Sequence, residues 1–491
     1  MTTTRAADLP IDDAVVERTA ARCRERGILI PTFAQMRDPE LVPEEIRNRL
    51  RETGLWDVDP VNLFRISWHN EPVESGGLFN EGNWIEFPSE LTGVSARIVG
   101  LVGKWFPTGA HKVGAGFGCL VPRLVTGQFD PEKHRAVWPS TGNFCRGGAF
   151  DCALLGCHAV GILPEEMSRE RFDWLREIGA EVIATPGCES NVKEIFDQCW
   201  EIRRTRPDCV IFNQFEEFGN AIWHHEVTGP AIDETFARLA RTGDRLAAWV
   251  SATGSAGTIA AGDYLRGRHR DLRIVATEAL QCPTLLQCGF GGHRIEGIGD
   301  KHVPWIHNVR NTDVVTAVDD AQCIALMRLF NEPEGRSFLT GEGVPAAVVS
   351  QLGLLGISSI CNLVAAIRTA RMFDLGPSDL LFLPLTDSMD LYGSRLLEQR
   401  TEHGVYDERT AARHFGRYLE AISVEHAREL TYVDRKAIHN LKYFTWVEQQ
   451  GRTVEELNEL WDPAFWDETY AQAEAWDRLI EAFNARVGVS G

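Results

Sequence analysis

The chain has 491 residues, 44% hydrophobic and 24% charged, with a formal net charge of −20. That length is more than one simple domain and buries a large core, and the composition is globular rather than disordered or fibrous. The acidic balance excludes general nucleic-acid binding, and no run reaches the roughly 18 apolar residues of a membrane span.

The first residues, Met1 to Asp8, lack the apolar core of a signal peptide, so a cytoplasmic location is expected. Residues 1–83 read as a helical N-terminal extension, with amphipathic stretches at 11–27 and 43–53. From 84 onward, short apolar runs alternate with helical segments. The runs at 96–102, 136–138, 158–163, 181–185, 209–213, 247–251, 273–278 and 380–384 predict strands, and 166–179 and 190–205 predict helices. Strand–helix alternation predicts parallel sheets covered on both faces, an α/β fold. After about 400 the strands are expected to stop, leaving 401–491 as a helical C-terminal extension rich in aromatics such as Phe444, Trp446, Trp461 and Trp466.

The 12 cysteines form no Cys-x-x-Cys pair and read as small buried hydrophobes in a reducing compartment. His224, His225 and Glu226 are adjacent and so point to different helix faces, and no His-Glu-x-x-His spacing occurs. No metal site is expected.

Three segments carry chemistry. Lys112 ends the run Pro107-Thr-Gly-Ala-His-Lys112, just after a predicted strand and at the start of a helix. Pro139-Ser-Thr-Gly-Asn143 is the second. The third, Thr253-Gly-Ser-Ala-Gly-Thr258, follows the run 247–251 and opens a helix over 259–266. Glycine allows close backbone approach, and a helix N-terminus offers free N–H groups and a positive dipole end, which together suit a phosphate. Alone, each has a plain alternative: a solvated lysine, or a tight turn. The glycines at 114, 116 and 118 fail the dinucleotide fingerprint because Cys119 stands at its third glycine position.

Taken in order, these segments resemble the cysteine synthase family of fold-type II pyridoxal phosphate (PLP) enzymes, with cystathionine β-synthase and the tryptophan synthase β subunit as relatives. The resemblance covers about 86–395. It continues through Leu163-Pro-Glu-Glu-Met, Asn213-Gln-Phe215 with Asn220, Thr228-Gly-Pro230, His293-Arg-Ile-Glu-Gly-Ile-Gly299, Gly356-Ile-Ser-Ser359 and Asp387-Ser388. The Gly-Ala-His-Lys form is most similar to tryptophan synthase.

The resemblance implies a two-domain, tryptophan synthase β-like α/β fold. A small domain would hold 106–217, a large PLP-binding domain 84–105 with 218–400, and helical extensions both ends. It also implies roles. Lys112 would form the Schiff base and act as base at Cα, and Asn143 would meet the ring hydroxyl. Ser140, Thr141 and Gln214 would hold the substrate carboxylate. Gly254, Ser255, Ala256, Gly257 and Thr258 would bind the phosphate, and Ser388 would face the ring nitrogen. A neutral serine there makes the ring a weaker electron sink, which favours loss of a β-substituent.

The implied activity is β-elimination or β-replacement on an amino acid through an aminoacrylate, in a homodimer. A hydroxyamino-acid dehydratase or ammonia-lyase of the same fold is the alternative. A non-catalytic PLP-fold partner protein is a third reading, against which the complete residue set stands. The chain departs from the family at the substrate side, where Asp300-Lys301-His302 follows Gly299 and Arg146 lies three residues past Asn143. Arg146, Lys301 and His302 are therefore expected to pair with a polar or anionic group on the substrate or nucleophile.

Overall fold

The computed structural model describes residues 10–488 apart from 141, 168, 188–191 and 300. Strands β1 (Trp84–Phe87), β2 (Arg97–Val102), β7 (Arg245–Ala252), β8 (Arg273–Ala279), β9 (Val314–Val318), β10 (Asp379–Leu385) and β11 (Ala427–Glu429) form one sheet, and β3 (Arg135–Pro139), β4 (His158–Pro164), β5 (Glu181–Thr185) and β6 (Cys209–Ile211) another. The first runs β1-β2-β10-β7-β8-β9-β11 and the second β5-β4-β3-β6. The interior of the large sheet and all of the small one are parallel. Parallel strands carry helices on both faces and so bury both sets of side chains; every residue of β9 and β10 is buried.

The α/β architecture with helical extensions is as expected, with two corrections at the sheet edges. β1 and β11 pair antiparallel, to β2 and β9. Strands also do not stop at 400: β11 lies in the C-terminal extension. Ala427-Arg-Glu429 has no apolar pattern, yet it pairs with Val314–Thr316 of β9. Among the described residues, no helix is long and apolar enough to cross a membrane.

The two extensions meet. Helix Asp13–Arg26 starts at Asp12, whose carboxylate accepts from the Val15 amide at 3.1 Å, and ends at Gly27 in the left-handed region. It packs along helix Gln472–Val487, where Arg24 Nε donates to the Val487 carbonyl at 2.6 Å. Phe33 stacks edge-on with Phe117 of helix Lys112–Val125 and lies 5.8 Å from Trp476, joining both extensions to that helix. Further along the C-terminal extension, Trp446 Nε1 donates to the Val303 carbonyl at 2.8 Å. Lys442 Nζ, fully buried, donates to the Trp305 and His307 carbonyls at 2.9 and 2.8 Å.

Candidate active site

Lys112 is the first residue of helix Lys112–Val125, reached through a kink in which Thr108 and Gly109 have φ of +69° and +70°. Its Nζ lies 3.0 Å from Ser255 Oγ. The preceding His111 is buried and pushed down to about 3 by desolvation and by Lys112, so it is a neutral ring beside the amine. The glycines that failed the nucleotide fingerprint are explained by packing. A Cβ at Gly114 would sit 2.0 Å from Trp223, so only glycine lets the helix seat against that indole.

The loop after β7 turns through Ala256 at φ +63°, a left-handed conformation unfavourable for a side-chain-bearing residue. Helix Ile259–Arg266 follows. The amides of Gly254, Ser255, Ala256 and Thr258 make no hydrogen bond among the described residues. Ser255 Oγ also accepts from Asn220 Nδ2 at 2.9 Å, and Asn220 Nδ2 reaches the Gln214 carbonyl at 3.0 Å. Free amides at a helix start, beside a lysine, are of the kind that suit a phosphorylated group.

A third wall comes from the loop after β3. Ser140 Oγ accepts from Gln214 Nε2 at 3.3 Å and from the Gly142 amide at 3.2 Å. Thr141 lies outside the described residues. Asn143 Nδ2 donates to Asp387 Oδ2 at 2.6 Å, while its Oδ1 has no partner. Asp387 also accepts from Tyr392 Oη at 2.8 Å; burial pushes its carboxyl up, and Arg171 pulls it back. Gly142 has φ +154°, and a Cβ there would lie 1.7 Å from Arg171 Nη1. Gly142→Ala is thus expected to lower stability by about 1–3 kcal/mol, read as a shifted midpoint in urea melts.

Ser388 sits on the turn after β10, its Oγ accepting from the Asp390 amide at 3.4 Å. It lines a cavity of about 350 Å³ with Trp56, Lys104, Trp105 and Gly109. The three residues expected to meet an anion have separate fates. Lys301 is exposed. His302 does not supply the expected positive charge: it is enclosed by Phe196, Phe215 and Trp446, with centroids 5.5, 4.7 and 5.6 Å away, and burial pushes it down to about 3. Arg146 is buried between Trp56 and Trp174.

Sequence reasoning assigned no role to Asp387, Tyr392, Arg171 or Trp56. Asp387 carried a local signal, an acid between the apolar strand and Ser388. Arg171 and Trp56 carried none, because what they touch lies far away in the chain.

The family model for pyridoxal-phosphate dependent enzymes matches residues 106–356, just over half of the chain. The chain belongs to that family, as a fold-type II enzyme related to cysteine synthase and cystathionine β-synthase. It is 29% identical over 253 residues to cysteine synthase of Staphylococcus aureus (strain Mu50), spanning 50% of this chain and 73% of that protein. With cystathionine β-synthase of Saccharomyces cerevisiae it shares 23% over 384 residues, 76% of this chain and 72% of that one. In fold it is similar to the crystal structure of cysteine synthase from Entamoeba histolytica, with a TM-score of 0.55 at 20% identity, covering 69% of this chain and 92% of that chain.

The site residues fit PLP. The unbonded amides of Gly254, Ser255, Ala256 and Thr258 suit its phosphate, Lys112 Nζ is placed beside that loop, and the unpartnered Oδ1 marks Asn143 as incompletely satisfied in the buried site.

Proposed function

We propose that this chain catalyses β-elimination or β-replacement on an amino acid that carries a leaving group at Cβ. The observation that carries this reading is Lys112 Nζ at 3.0 Å from Ser255, within a loop of free amides at a helix start. The activities named for the relatives, cysteine synthase and cystathionine β-synthase, support β-replacement in particular. When bound, PLP supplies a conjugated ring that takes up the negative charge developing at Cα, so that the proton there and the group at Cβ can leave.

The chain's own residues do the rest. The amides of 254–258 and the helix behind them hold the phosphate. Asn143, fixed through one amide hydrogen by Asp387, presents the rest of its amide to the ring hydroxyl. Ser388 offers a neutral hydroxyl to the ring nitrogen. Ser140, Thr141 and Gln214 receive the substrate carboxylate with neutral donors, and Lys112 takes the Cα proton. His111, neutral beside it, adds no competing charge. We propose the same chain as a homodimer, which sedimentation of the purified protein tests.

The functional reading predicts that protein incubated with PLP is yellow and that L-serine or O-acetyl-L-serine changes its absorbance band. Release of acetate, with pyruvate and ammonia or with a sulfide adduct, separates elimination from replacement. Bound PLP with no spectral response to any β-substituted amino acid would contradict the reading.

A further inference from the structure

We infer that Arg146 is the base of an anion-recognising subsite, so that the donor amino acid or the incoming nucleophile carries a carboxylate or phosphate besides the α-carboxylate. The inference rests on the functional reading above and names the substrate class of the same site.

Arg146 lies one turn into helix Asn143–Leu154, whose first residue is the Asn143 of the carboxylate loop. It is 3% exposed, and its Nε and Nη1 have no hydrogen-bond partner. Among the described residues it forms no ion pair. The neighbouring arginines differ in this respect. Arg171 is paired with Glu296 at 3.3 Å and donates to Tyr392 Oη at 3.1 Å. Arg395 meets the other Glu296 oxygen at 2.6 Å. The Asp387 oxygen that bonds at all is occupied by Asn143 and Tyr392. Asp387 Oδ1 is unbonded and its charge acts on Arg146, but among the described residues no nearby acid makes a hydrogen bond or ion pair to Arg146, so the N–H groups of this buried cation are unanswered.

Burying an unpaired guanidinium is unfavourable, and burial together with Arg171 pushes Arg146 down to about 9. What the protein supplies instead are two indoles. Trp174 and Trp56 lie 4.6 and 5.6 Å from the guanidinium carbon, which stabilises the cation through ring faces and leaves its N–H groups unused. Those N–H groups form a planar fork suited to bidentate binding of carboxylate or phosphate. Trp56 belongs to the N-terminal extension, is 44% exposed, and lines the cavity that also reaches Gly109 and Ser388. Arg146 itself does not line that cavity; Trp56 connects the guanidinium to its wall, on the side of Gly109 and Ser388. The competing account is that the two indoles alone satisfy Arg146 and it serves only packing.

The test uses the PLP-loaded full chain in two arms. In the donor arm, absorbance titrations compare L-serine with O-phospho-L-serine. In the acceptor arm, consumption of a neutral thiol, 2-mercaptoethanol, is compared with that of anionic mercaptoacetate. The expected result is a preference of roughly 10-fold or more for the charged compound in one arm. In Arg146→Met that ratio should fall to about 1, with Arg146→Lys in between because it keeps charge but loses the fork. Thermal melts of the variants separate this from misfolding, since a packing role would shift the melt and leave the ratio intact. Wild-type protein that responds to amino acids but prefers the charged compound in neither arm overturns the inference alone, whether or not the variants fold. An Arg146→Met protein that keeps the preference does so too. No response to any amino acid overturns the functional reading and this inference with it.

Discussion

Lys112→Ala is expected to lower turnover by roughly a thousandfold or more, while the protein still folds and still binds PLP through its phosphate. Lys112 opens its helix and is only partly buried, so shortening it removes little buried surface. The proposed phosphate seat belongs to a different element, the loop before helix Ile259–Arg266, and should survive the change. What would be lost is the amine proposed to attach to the cofactor and to move the proton at Cα. Two measurements check this together. Borohydride reduction followed by peptide mapping should place the label on the peptide containing Lys112 in wild type and on none in the variant. Steady-state turnover of O-acetyl-L-serine should fall with it. Wild-type label on another lysine, or a variant with near-normal turnover, would show that Lys112 is not the reacting amine.

Trp446→Ala is expected to destabilise the protein by about 3–5 kcal/mol, the range for removing a fully buried large aromatic. The indole is completely buried, its Nε1–H is the donor for the Val303 carbonyl, and its ring lies 5.6 Å from His302 and 6.0 Å from Phe196. Removing it opens a cavity and strips a buried carbonyl of its donor at the same place. The segment it holds follows the Gly297-Ile-Gly299 turn, whose Gly299 amide bonds to the Thr253 carbonyl at 2.9 Å, at the head of the phosphate loop. Weaker PLP retention should therefore accompany the lower urea midpoint. A Trp446→Ala protein as stable as wild type would show that the C-terminal extension is a passenger.

The parallel core was legible because both faces of its strands are covered. The runs near 247–251 and 380–384 are apolar without alternation, and they became β7 and β10. β11 was not legible, since Ala427, Arg428 and Glu429 show no pattern and owe their state to the exposed edge of β9. The loop at 254–258 could be read because its glycines and the helix after it are neighbours in sequence. The surroundings of Arg146 could not, because Trp56 and Trp174 come from separate segments. The same cause misled the reading of His302. Beside Lys301 it looked like part of a charged strip, yet Phe196, Phe215 and Trp446 close around it from three distant places.

The junction of Phe33, Phe117 and Trp476 bears on how the molecule is made. Arg24 and Val487 are bonded across 463 positions, so the helix that begins with Lys112 lacks part of its cover until the far segment leaves the ribosome. At about 5–20 residues per second, the N-terminal segment waits roughly 20–90 s for its partner. During that interval the apolar side of the nascent helix is available to chaperones or to other chains. A ribosome-stalled chain ending near residue 450 should accordingly be protease-sensitive around Phe33 and Phe117, and the released full chain should not.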